Sequence, residues 1–145
     1  MTKLLLSVHV LAAILAIGPV AVAASMFPRY ARAPERDGTA VLLHRVCRVY
    51  SGVGLVVPLF GFLTGARLGV LGDPWLIASI VLTGIAAGVL MMAILPGQQR
   101  LLATGGGAGA TAPAARLAAQ TGVFNLLWAV VTVLMIVRPG STTGV

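Results

Sequence analysis

The chain has 145 residues, 59% of them hydrophobic and 9% charged, with ten lysines and arginines against three acids and a net charge of +7. A soluble domain carries about 25% charged residues, so this composition excludes an ordinary cytosolic protein, and its apolar content excludes a disordered one. Cys47 is the single cysteine, which excludes a disulfide scaffold.

Four charge-free apolar runs follow in order: Leu4 to Ala24, Val49 to Ala66, Trp75 to Leu95 and Leu117 to Val137. Crossing a ~30 Å hydrocarbon core takes about 20 helical residues, so each run is long enough. Backbone polar groups in lipid must be satisfied within the segment, which makes these runs helices. Alternating strand patterning is absent, so a β-barrel is excluded. The expected fold is an all-α membrane protein, one transmembrane domain over residues 1–145 forming a four-transmembrane-helix bundle. Its spans are about 4–24, 49–66, 75–95 and 117–137.

The breaks are marked by polar and turn-forming residues. The first, 25–40, holds Pro28, Arg29, Arg32, Pro34, Glu35, Arg36, Asp37 and Gly38. In the second, 67–74, Asp73-Pro74 before Trp75 reads as a helix start, with aspartate at the cap and proline in the first turn. The third, 96–114, contains Gly105-Gly106-Gly107-Ala108-Gly109, and composition predicts a flexible Gly-rich loop over 103–114. It is not a phosphate-binding loop, for it lacks the Gly-Lys-Ser/Thr ending and a preceding strand.

With four spans, the termini and the second loop share one side, which carries Lys3, Arg67 and Arg138. The other side carries Arg29, Arg32, Arg36, Arg45, Arg48, Arg100 and Arg116. Basic residues collect on the cytoplasmic side, so both termini are expected outside. The net charge is therefore an orientation signal, and no nucleic acid is expected as a partner: no basic helix or aromatic stacking platform is visible. Heavy use of Ala, Gly, Val and Arg suggests a GC-rich bacterial genome, and the expected location is a bacterial cytoplasmic membrane. Lys3, the first run and Ala21-Val22-Ala23 also resemble a secretory signal peptide. Cleavage would leave Arg29, Arg32, Arg36, Arg45 and Arg48 outside, against the positive-inside tendency, so the first run is read as a retained span.

Lipid supplies no hydrophobic drive for helix association, so small residues mark candidate contact faces. These are Ala12 and Ala16, Gly54, Gly61 and Gly65, Gly84 and Gly88, and on the fourth run Ala118, Gly122, Asn125, Ala129 and Thr132. Pro19 and Pro58 lie inside spans, where each removes a backbone bond.

The two histidines are the obvious ligand candidates. At 1.5 Å per residue His9 lies roughly 7 Å inside one boundary, while His44 lies near the other, about 20 Å away. Two nitrogens on one metal sit within about 4 Å, so the pair does not share one ion. His9 stands on a face with Ala13 and Ala16, and Ser79 and Thr132 fall at similar depth, so His9, Ser79 and Thr132 form a candidate intramembrane polar layer. Asn125, mid-membrane, needs a partner, which Thr83 or a backbone carbonyl could supply. Arg45 and Arg48 are candidate contacts for lipid phosphate or a partner's carboxylate. Cys47 and Met91-Met92 read as packing residues. No nucleophile–base pair, carboxylate pair or metal-ligand cluster is legible, and all three acids lie in loops.

The segments Val8-His9-Val10-Leu11-Ala12-Ala13-Ile14, Gly18-Pro19-Val20 and Ser25-Met26-Phe27-Pro28-Arg29 resemble a family of small bacterial integral-membrane proteins of unknown function. His44-Arg45-Val46-Cys47-Arg48-Val49-Tyr50 and Val70-Leu71-Gly72-Asp73-Pro74-Trp75-Leu76 extend the likeness over most of the chain. It implies four spans and no settled activity. The start around His9-Val10-Leu11-Ala12-Ala13 is also similar to the first helix of copper-resistance D-like membrane proteins, which implies metal or haem handling at His9.

The expected function is a non-enzymatic accessory or assembly subunit of a larger membrane complex, with the bilayer and other membrane subunits or further copies of itself as partners. No cofactor is expected in that role. One alternative is a redox protein handling haem or copper through His9. Another is a small homo-oligomeric transporter.

Overall fold

Every helix outlasts the apolar run that announces it. The computed structural model describes residues 1–34 and 37–140, so Glu35 and Arg36, counted above in the first break, lie outside the described residues. Four helical spans are long and apolar enough to cross a membrane: Thr2–Arg32, Thr39–Leu68, Pro74–Thr104 and Ala108–Val137. No strand is present among the described residues. The chain is thus an all-α, multi-pass membrane protein, a four-helix bundle.

Helix α1 (Thr2–Arg32) continues eight residues past Ala24 (32 − 24), through Pro28. Its buried residues Ala16, Val20, Ala23, Ala24, Phe27 and Ala31 recur every three or four positions, so one face stays packed across the predicted break. Helix α2 (Thr39–Gly54) likewise starts ten residues before Val49. Ala40, His44, Cys47 and Ser51 form its buried stripe, while Arg45 and Arg48 project from the exposed side. The apolar run hid this helix because the two arginines interrupt the hydropathy without interrupting the amphipathic pattern. At its start the Asp37 carboxylate accepts the Thr39 N–H at 3.0 Å, and the hydrogen bonds from the Thr39 side chain and backbone hold its carboxyl below the usual value.

Two prolines disturb the ladders one turn upstream of themselves. Pro58 has no N–H for the Gly54 carbonyl, and the span is interrupted at Leu55 before α3 (Val56–Leu68) begins. Pro96 has none for Met92, and the turn before it widens into a π turn at Leu90–Ile94, between α4 (Pro74–Val89) and α5 (Leu95–Thr104). The wide turn has a packing consequence. Ala86, Leu90, Ile94 and Gln98 are all buried, at successive steps of four residues. Each such step drifts about 40° around a regular helix, and the π turn takes up the excess, which keeps Gln98 on the buried face. Between α3 and α4, Gly69 is left-handed at φ 69°, and its N–H and that of Val70 bond back to the Ala66 and Gly65 carbonyls. Pro74 occupies the first turn of α4 as expected, but the Asp73 carboxylate accepts the Trp75 indole N–H at 3.0 Å and does not cap the helix.

The Gly-rich segment departs from expectation. Helix α5 runs to Thr104 and α6 (Thr111–Val137) starts at Thr111, so only 105–110 lie between them. This short linker is seated on α1: the Gly107 N–H donates to the Arg32 carbonyl at 3.2 Å, and Gly106 lies against the backbone of Ala33. Gly106 is required because the two backbones approach too closely there for a Cβ, and Gly105 and Gly107 adopt positive φ of 81° and 96°.

In space α1 packs against α2 and α3 on one side and α6 on the other, and α4 packs against α6. At the arginine-rich end α5 reaches across to α2 and closes the ring, whereas α3 and α4 barely meet. The small-residue faces are only partly used. Gly61 and Gly65 are in contact, but space around Gly84, Gly88 and Gly122 is open, and Ala118, Ala129 and Thr132 are exposed. The packed face of α6 is instead Ala114, Leu117, Thr121, Phe124 and Val131, where larger side chains fill the interior.

Candidate functional site

Because α5 closes the arginine-rich end and nothing equivalent among the described residues closes the other, a groove of about 790 Å³ opens there. Helices α1 and α6 meet where Asn125 Nδ2 donates to Ser25 Oγ at 3.1 Å. Beyond that contact Gly18 and Trp128 mark the groove's inner end, and Trp75 and Arg138 line it near the ends of α4 and α6. Val10, Ile14 and Ile136 are exposed along its rim, so it opens sideways to the surroundings of the bundle.

His9 lines this groove and is 8% exposed. Its Nδ1 lies 2.8 Å from the Val57 carbonyl of α3. A carbonyl only accepts, so Nδ1 carries a proton, and in the neutral imidazole Nε2 keeps the lone pair that a ligand could use. The ring packs onto Gly61, where a Cβ would stand 2.8 Å from His9 Cε1 and 3.1 Å from Nδ1. Gly61→Ala is therefore expected to push the imidazole off the Val57 carbonyl and destabilise the protein by roughly 1–3 kcal/mol. Thermal unfolding in detergent, together with the imidazole proton signals by NMR, measures both effects; an unshifted Nδ1–H signal would contradict this packing.

Of the expected polar layer, Thr132 lines the groove beside His9, and Ser79 does not. Ser79 and Thr132 each bond a carbonyl of their own helix, to Trp75 at 2.8 Å and Trp128 at 2.9 Å. The three residues lie at one end of the bundle but share no hydrogen bond among the described residues. At the mouth the Arg138 guanidinium lies 5.4 Å from the centre of the Trp75 ring, and its Nε donates to the Met135 carbonyl at 3.2 Å.

Asn125 has a partner, but it is Ser25 and not Thr83. Ser25 escaped the sequence reading because the first span was ended at Ala24. Asn125 Oδ1 and Thr121 Oγ1 are buried without a partner among the described residues. Arg45 and Arg48 are exposed on α2, where lipid or a partner can reach them.

A second buried polar group closes the arginine-rich end. His44 Nδ1 lies 2.8 Å from Gln98 Oε1, and Gln98 Nε2 donates to Cys47 Sγ at 3.5 Å. Phe27 of α1 packs beside the imidazole, with ring centres 6.5 Å apart. Sequence reasoning left Gln98 unmentioned, since it follows Pro96-Gly97 in an expected loop. Val57 and His44 are 13 positions apart along α2 and α3 (57 − 44), about 20 Å of helix, so the histidines serve opposite ends. No group of three or more His, Cys, Asp or Glu that could hold one ion occurs among the described residues.

These features define a class: a small four-span helical membrane protein with a sealed end and a lateral, mostly apolar groove holding one oriented histidine. No family model, curated protein or solved structure matches the chain.

Proposed function

We propose that the protein is a non-enzymatic accessory subunit of a bacterial cytoplasmic membrane, and that its groove holds an elongated apolar molecule with one hydrogen-bonding group. The groove carries this reading. Sites for small molecules are clefts of roughly 300–1,000 Å³, mainly apolar with a few convergent polar groups. Here the walls are apolar, and His9, Thr132 and Arg138 supply the polar groups. The arginine excess at the sealed end supports placing that end in the cytoplasm and the groove in the outer leaflet. The likeness to small bacterial membrane proteins belongs to the same proposal.

One observation favours a second reading, haem or copper held by His9 Nε2. A metal-bound histidine usually donates its other N–H to a carboxylate or backbone carbonyl, as Nδ1 does here to Val57. His9 would hold such a group through Nε2, and the group would supply redox chemistry there.

The experiment uses the chain's own reporters, for both tryptophans, Trp75 and Trp128, line the groove. A brominated long-chain alcohol added to delipidated protein is expected to quench their fluorescence saturably near one molecule per chain. In His9→Leu its affinity should fall roughly tenfold, the worth of about one hydrogen bond. Stability should change by less than about 1 kcal/mol, since an apolar replacement leaves the Val57 carbonyl in its helical ladder. Ala13→Phe, which fills the groove and keeps His9, should also abolish saturable quenching. Linear quenching that is identical in all three proteins contradicts the proposal, and a Soret band lost in His9→Leu transfers it to haem.

A further inference from the structure

We propose that the cleft between α5 and α6 at the arginine-rich end is a binding site for an anionic phospholipid, its phosphate held between Arg100 and Arg116. The observations are separate from those behind the groove at His9. The cleft has a volume of about 410 Å³, and Arg100 and Arg116 both line it, with Thr104 and Gln120 beside them. Arg100 Nε donates to the Pro96 carbonyl at 3.4 Å, which draws the guanidinium back along α5 and leaves its terminal N–H groups to other acceptors. Arg116 makes no hydrogen bond or ion pair among the described residues. Two of the three acids are engaged elsewhere: Asp37 with Thr39, and Asp73 with Trp75 near the opposite end.

The start of α6 adds to the same field. It has no side-chain cap and no acid in its first turn, and Ala112 and Pro113 of that turn line the cleft. The positive end of the helix dipole therefore lies on the same side of the cleft as the two guanidinium groups. Basic pockets between membrane helices hold lipid head groups through the same combination. The apolar part of the cleft selects a lipid over a free anion. From the arginines it runs along Leu101, Gly97 and Leu117 to Ala93 and Met92, in the π turn of the same span. Gly97 keeps this path open close to α6, for a Cβ there would come within 3.1 Å of Leu117 Cδ1. A phosphate ion makes no use of that wall, whereas an acyl chain covers it.

The test is native mass spectrometry of the full chain in detergent with equal amounts of phosphatidylglycerol and phosphatidylcholine of matched chains. One phosphatidylglycerol should be retained with roughly tenfold preference. Arg100→Gln with Arg116→Gln should remove the preference, and Arg29→Gln with Arg32→Gln, exposed on α1 at the same end and outside the cleft, should leave it intact. Ala93→Trp, which keeps both arginines and fills the apolar wall, should also reduce retention. Millimolar inorganic phosphate should displace nothing. Equal retention of the two lipids overturns the site. Equal losses in the two arginine pairs show diffuse surface charge instead, and displacement by phosphate shows a free-anion site.

Discussion

Gly106→Ala should lower the melting temperature by roughly 5–10 °C. A Cβ at this position would run into the Ala33 carbonyl oxygen and lie 3.0 Å from its carbon, both backbone atoms that no rotamer change can move. The linker would have to lift off α1, and the Gly107 N–H would lose the Arg32 carbonyl, one of the last carbonyls of that helix. Overpacking of this kind costs roughly 1–3 kcal/mol, and in a chain of this size each kcal/mol is worth about 2–4 °C. Gly109→Ala is the control, because a Cβ there meets nothing within 4 Å. Differential scanning fluorimetry in detergent compares the two. Equal, negligible shifts would mean that the linker is not seated on α1.

The second large effect concerns the sealed end. Gln98→Leu removes the acceptor of the His44 Nδ1–H and the donor to Cys47 in one step, at a site where Gln98 is 0% exposed. A buried donor left unsatisfied costs about 1–3 kcal/mol, so the melting temperature should fall by roughly 5 °C. The loss belongs to the stranded imidazole and not to the missing amide. His44→Phe with Gln98→Leu should therefore be more stable than Gln98→Leu alone, since two apolar groups leave nothing unpaired. Additive losses in the double variant would show that the two side chains act independently.

Both effects fall on features the sequence only half disclosed. The four spans were legible because uninterrupted apolar runs of membrane length have few other readings. Their true ends were not, because Arg45, Arg48 and Pro28 interrupt hydropathy while the buried stripes run on through Cys47 and Phe27. The inward orientation of His9 was also legible, from its spacing to Ala16. Its partner was not: Val57 offers a backbone carbonyl, which no residue type advertises. Gln98 stayed hidden because its inward orientation depends on a π turn, and the apolar pattern does not announce one. The fourth span was read by its small residues, yet Leu117 and Phe124 pack and Gly122 stays open. In that helix the neighbours leave room for large side chains, and only the three-dimensional order of the spans decides this. The groove has the same origin: it exists because α5 joins α2 at one end while α3 and α4 stay apart at the other.

The open end of the bundle is proposed to hold a ligand as part of an accessory role. Native mass spectrometry of the protein purified in mild detergent from its own membrane tests it most directly. The chain should be found associated with other subunits. One additional hydrophobic molecule per chain should persist in Arg100→Gln with Arg116→Gln and disappear in Ala13→Phe. A lone chain that carries no associated molecule either with or without Ala13→Phe would contradict it.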